Sequence, residues 1–201
     1  MKENSEKEKI MLHARERILK EGFYKITMDE IATRLRISKK TIYKYYRSKD
    51  ELINDVINEH KKFIETTISE IFNSDSNSVE KLFQMVQFFS QLALRIGENL
   101  LNDMRLHKPE LWKEIDEFRK NIILANIFRL IEQGKKEGMI VDQPTEILVA
   151  IYISAITGVV NPDFIMNNKF SIQQAFNSVF EILMSGIFTP QGNELYKKSN
   201  R

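Results

Sequence analysis

With 201 residues, 42% of them apolar, the chain is long enough for one ordinary domain and a smaller second one, each with a real core. The absence of cysteine excludes disulfides, thiolate metal sites and cysteine nucleophiles, and with only seven glycines and four prolines the turn-rich sheet and barrel classes give way to an all-α protein. Thirty basic against 28 acidic residues leave a net charge of +2, but the stretch Arg34–Lys49 holds seven basic residues and no acidic one, so the positive excess is local.

The N-terminus MKENSEKEKIM is charged throughout and has no apolar signal segment, which points to a cytoplasmic protein. Ile10, Ala14, Ile18 and Leu19 then fall at helical spacing, and Gly22 sits where a glycine would end a first helix over 6–21. Thr27-Met-Asp-Glu30 is a capping box that opens a second helix at Met28. Ser38 can cap a third, short helix over 39–46, and Ser48-Lys-Asp-Glu51 is a second capping box, opening a long helix over 49–72. Further helices are expected over 78–96, 100–106 and 109–136, the last with Pro109 in its first turn. The apolar run Ile147–Val160, inside a helix over 144–160, is 14 residues long against the roughly 20 that span a bilayer, so no membrane partner is expected. Asn161-Pro162-Asp163 breaks that helix, and a final apolar stripe runs over 171–188.

Two short helices joined by a tight turn, the second basic and polar on its outer side, are what a helix-turn-helix needs to brace against DNA and enter the major groove. In residues 28–46, Ile31, Leu35, Ile37 and Ile42 face a three-helix core. Lys39, Lys40, Thr41, Tyr43, Lys44 and Tyr45 are left facing outward. Lysines can donate to guanine edges, a threonine methyl can touch thymine, and tyrosine hydroxyls can bond phosphates. On composition alone, the basic run reads as a solvated face; the caps, turn and spacing reverse that in favour of DNA.

Gly22, Thr27, Ile31-Ala32, Ile37-Ser38, Ile42-Tyr43-Lys44-Tyr45-Tyr46, Lys49 and Leu52 together resemble the N-terminal pattern of the TetR family of bacterial transcription regulators, over roughly residues 10–57. Arg36 stands where that family usually has Gly, and Tyr46 where it usually has Phe. The resemblance implies that Thr27 and Lys49 anchor flanking phosphates and that Tyr43 and Tyr45 hold the backbone. Lys39, Lys40, Thr41 and Lys44 lie where the family reads bases. It also implies a pseudo-palindromic double-stranded operator bound by a dimer, with residues 1–48 as the DNA-binding domain and 49–201 as a helical ligand-binding and dimerisation domain.

By the same analogy the second domain takes a small, largely hydrophobic inducer, with Phe63, Phe88, Leu92, Met104, Trp112, Phe118 and Tyr152 as pocket candidates. Taken singly, each reads sooner as an ordinary core residue, since aromatic and Met stripes at helical spacing mark any core. The helices over 144–160 and 171–188 are too apolar for one subunit to cover, and they are expected to form a homodimer interface. His13, His60 and His107 have no metal-ligand spacing, and there is no nucleophile elbow or phosphate loop, so neither an enzyme nor a cofactor is expected. The expected function is a regulator, most simply a repressor, released from DNA by its ligand; control by a protein partner or by no ligand is the alternative.

Overall fold

In the computed structural model, which describes residues 2–199, helix α1 (Lys2–Glu21) stops at Gly22. Gly22 has a φ of +81°, the left-handed conformation that a Cβ disfavours, and its N–H bonds back to the Ile18 carbonyl. The Thr27 capping box then opens α2 (Met28–Leu35), and Ser38 opens α3 (Lys39–Tyr45) by accepting the Thr41 N–H. Between them the Arg36 N–H bonds to the Thr33 carbonyl and the Ile37 N–H to the Ala32 carbonyl, the paired bonds of a Schellman motif. Its left-handed residue is Arg36, at φ +53°.

The remaining described helices are α4 (Lys49–Asn73), α5 (Ser78–Leu94), α6 (Glu98–His107), α7 (Pro109–Lys136), α8 (Thr145–Val159), α9 (Pro162–Asn168), α10 (Ile172–Ile187) and α11 (Pro190–Ser199). The chain is all-α, with a single antiparallel bridge between Ile140 and Phe188 among the described residues. Two of these helices are absent from the sequence reading. The Asn161-Pro162-Asp163 break is itself a helix start: Asn161 accepts the Phe164 N–H at 2.8 Å and Pro162 takes the first turn of α9. The polar α11 carries no apolar stripe and is anchored at Thr189, which accepts the Asn193 and Gly192 N–H groups.

The chain divides into two compact units, each discontinuous in sequence. The first comprises residues 1–64 and 95–109, so α6 joins α1–α3 and the first part of α4. Its core is built from Ile10, Ala14 and Ile18 of α1, Ile31 of α2, Ile42 of α3, and Leu52 and Val56 of α4, all essentially inaccessible. Tyr46 lies in the same core with its hydroxyl donated to Asp55 at 3.1 Å. Leu35 and Ile37 are only half-buried.

The second unit comprises residues 65–94 and 110–201. There α5 and α8 pack on α10, and α11 packs on α5. Two cations hold helix ends in it, the half-buried Arg119 and the buried Lys81. Arg119 of α7 lies over the Trp112 ring and donates to the Val160 carbonyl at 2.9 Å, capping α8. Lys81 of α5 donates to the Phe72 carbonyl at the end of α4 and to Gln133. No single described helix is long and apolar enough to cross a membrane; α8 and α9 have that length and composition only as a pair bent by 55°.

Candidate nucleic-acid interface

Helix α3 is only seven residues long, and its geometry follows from one buried anchor and one cap. Ile42 is fully inaccessible, which fixes the rotation of α3, and Ser38 closes the N-terminal turn with its hydroxyl 2.8 Å from that of Thr41. Lys39, Lys40, Tyr43 and Lys44 are consequently exposed on the side away from the core, while Thr41 and Tyr45 are half-buried. Exposure of adjacent basic and phenolic groups on one short helix suits contact with a polyanion.

Several of these groups already hold intramolecular partners. Lys39 Nζ lies 2.5 Å from Asp29 of α2, a carboxylate that raises the lysine pKa. Tyr45 donates its hydroxyl to Glu6 of α1 at 3.0 Å. Lys44 lies over the Tyr45 ring, 5.4 Å from its centroid. The Thr27 hydroxyl is occupied by its capping box, accepting the Glu30 N–H and donating to the Glu30 carboxylate, whose pKa falls as it accepts the Thr27 amide.

Lys49 is half-buried and donates to the Tyr24 carbonyl at 2.8 Å; burial pulls its pKa down against the favourable field of Asp103 and Asp50. It belongs to a cluster that ties α6 to the loop after α1. Asp103 of α6 accepts the N–H groups of Phe23 and Tyr24, the Tyr24 ring stacks on His107 at 3.8 Å, and Lys108 pairs with Asp50 at 2.8 Å. Sequence reading gives Lys49 a phosphate to hold and gives Asp103 nothing. The partner of a lone buried carboxylate lies some eighty residues away, and no spacing rule reaches it.

The ligand-pocket candidates are spread over both units. Phe63, on α4, is 46% exposed, and Met104, on α6, is buried, both in the first unit. In the second unit Leu92 and Tyr152 are buried, while Phe88, Trp112 and Phe118 are half-buried. A groove of about 390 Å³ there runs between Ile68 and Phe72 of α4 and Phe118 and Ile122 of α7, with polar edges at Glu65, Ser69, Asn121 and Arg129. Phe118 is the one candidate of the seven that lines it. The Tyr152 hydroxyl is fully buried and has no hydrogen-bond partner among the described residues, and burial drives its pKa strongly upward.

The two helices expected at a dimer interface leave apolar surface uncovered. On α8, Ile147 and Ile151 are 54% and 49% exposed, one turn apart; on α10, Ile182 is 71% exposed. Gly158 and Gly186 have open space where a Cβ would project.

Residues 10–56 match the sequence model of the bacterial regulatory proteins of the tetR family. Over 175 residues the chain is 28% identical to YvaF of Bacillus subtilis, an uncharacterised HTH-type transcriptional regulator, covering 85% of this chain and 90% of that one. Over 179 residues it is 26% identical to the fatty acid metabolism regulator protein of the same organism, covering 85% and 89%. Its fold is similar to that of a putative transcriptional regulator from Saccharomonospora viridis, solved in complex with choline, with a TM-score of 0.69 at 16% identity over 92% of this chain and 99% of that one.

Proposed function

This chain is a DNA-binding transcriptional regulator of the tetR family, and from that premise we propose that it is a homodimeric repressor which a small, largely hydrophobic ligand releases from a pseudo-palindromic operator. The observation that carries the reading is the orientation of α3: Ile42 is fully buried, and Lys39, Lys40, Tyr43 and Lys44 are exposed. One such helix covers only a few base pairs, so useful selectivity needs two of them about 34–36 Å apart, or a multiple of that spacing.

On this reading residues 1–48 engage the duplex, and residues 49–201 dimerise and bind the ligand. The uncovered Ile147, Ile151 and Ile182 support a two-fold interface made by α8 and α10, because large apolar side chains exposed together mark an interaction surface. The unpartnered Tyr152 hydroxyl inside an aromatic-rich unit supports a mostly apolar ligand with a single polar contact. So does the similarity to a regulator of fatty acid metabolism. Helix α4 starts in the first unit and ends in the second, so a ligand with unequal affinity for two positions of α4 would alter DNA affinity.

The test is binding to an inverted repeat taken from the DNA beside the gene, with and without fatty acyl compounds. Lys40→Gln and Lys44→Gln are expected to weaken binding and each to lower the salt slope by about 1. A bound ligand is expected to raise the melting temperature and reduce operator affinity about 5–150-fold. Affinity indifferent to both lysine substitutions would remove the basis for the reading.

A further inference from the structure

The basic helix α3 is not presented bare. The acidic residue Asp29, in the first turn of α2, is exposed and lies against Lys39 of α3, where an unpaired carboxylate would repel DNA. Its Oδ2 instead holds Lys39 Nζ at 2.5 Å, with both side chains more than half exposed. A second carboxylate, Glu6 of α1, does the same for the Tyr45 hydroxyl at 3.0 Å. Two acidic side chains from two different helices thus each occupy a donor on α3.

Carboxylate and phosphate oxygens offer an ammonium or phenol the same chemistry: anionic acceptors at hydrogen-bond distance. We propose that Asp29, with Glu6 in support, is an intramolecular phosphate surrogate that DNA must displace, and that it lowers affinity for duplex of any sequence. The inference rests on the proposal that α3 meets DNA. Its physical content is an exchange: Lys39 leaves one anion for another, so the gain from each contact is reduced by the loss of the internal pair. Weak binding is reduced by the same amount as tight binding, and this matters most where contacts to the phosphate backbone are all that holds the protein to DNA. The surrogate therefore acts as a brake on non-specific occupancy.

The sign of a double-mutant cycle decides it. Affinity for a short duplex of arbitrary sequence is measured at low ionic strength for wild type, Asp29→Asn, Lys39→Gln and the double variant. Asp29→Asn is expected to tighten binding about 1.5- to 5-fold, the range spanned by exposed ion pairs, and to tighten it less in the Lys39→Gln background. An equal or larger gain in that background would mean that Asp29 acts only through its charge, or that the pair persists on DNA, and either overturns the proposal. Lys39→Gln in the Asp29→Asn background guards the premise: unchanged affinity there, where no internal pair offsets the contact, would refute contact between α3 and DNA at this position, a failure distinct from the first. Glu6→Gln is expected to tighten binding in the wild type and to have less effect in a Tyr45→Phe background. Melting temperatures of all variants establish that each is folded.

Discussion

Asp103 accepts the backbone N–H of Phe23 at 2.7 Å and that of Tyr24 at 2.8 Å, so a carboxylate on α6 closes the loop that leads into the helix-turn-helix. The fit leaves no slack. A Cβ at Gly22 would collide with that carboxylate, and one at Gly97 would collide with the Lys20 carbonyl. Because Asp103 is buried, Asp103→Ala leaves two loop N–H groups unsatisfied and is expected to cost about 2–3 kcal/mol of stability, read as a lowered denaturation midpoint. Asp103→Asn retains an acceptor and should cost less. Equal midpoints for Asp103→Ala and wild type would show that the loop is held by other contacts.

Removal of the apolar side chains exposed on α8 and α10 tests the dimer. Ile151→Lys and Ile182→Glu place charge on the expected interface while touching no core position of the subunit, since both residues are about half exposed or more. The expected outcome is a monomer by light scattering with helical content unchanged. A dimer that survives both substitutions would have to use another surface.

Much of this architecture is legible along the chain. Thr27 and Ser38 signal their helices because a cap is a local bargain between neighbours three residues apart, and Ile42 signals the orientation of α3 because periodicity is local too. The start of α9 was equally local, in Asn161 and Pro162, but the same residues also read as a break. What lies beyond reach is pairing across distance. The types of Lys39, Tyr45 and Lys49 announce a polyanion, yet their partners Asp29, Glu6 and the Tyr24 carbonyl come from other elements. Helix α11 is illegible for another reason: its polar sequence forms a helix because of where Thr189 and the close approach of Gly192 to Met139 place it.

Arg36 holds the left-handed position of the Schellman motif between α2 and α3, at φ +53°, where a side chain costs about 1–2 kcal/mol relative to glycine. Arg36→Gly is therefore expected to raise stability, by about 1 kcal/mol after the greater unfolded-state entropy of glycine is subtracted. The measurement is a denaturant midpoint at constant m-value. A lower midpoint would show that the arginine side chain makes a compensating interaction.

His60 contributes a pH dependence to the first unit below neutrality. It is half-buried on α4, and burial, followed by the nearby Arg15 and Arg95, lowers its pKa below the ordinary histidine value. Protonation is thus easier in the unfolded chain than in the folded one. Between the two pKa values the unfolded state binds more protons, so stability rises with pH there and falls as pH drops below about 6.5. Above that value both states hold a neutral imidazole, and the residue contributes no slope. His60→Gln, which cannot titrate, is expected to flatten the acid side of the stability profile while leaving the slope above about pH 7 unchanged. Thermal melts of both proteins from about pH 7.5 down to about 5.5 make the comparison, and parallel curves would show that the imidazole titrates alike in the folded and unfolded chain.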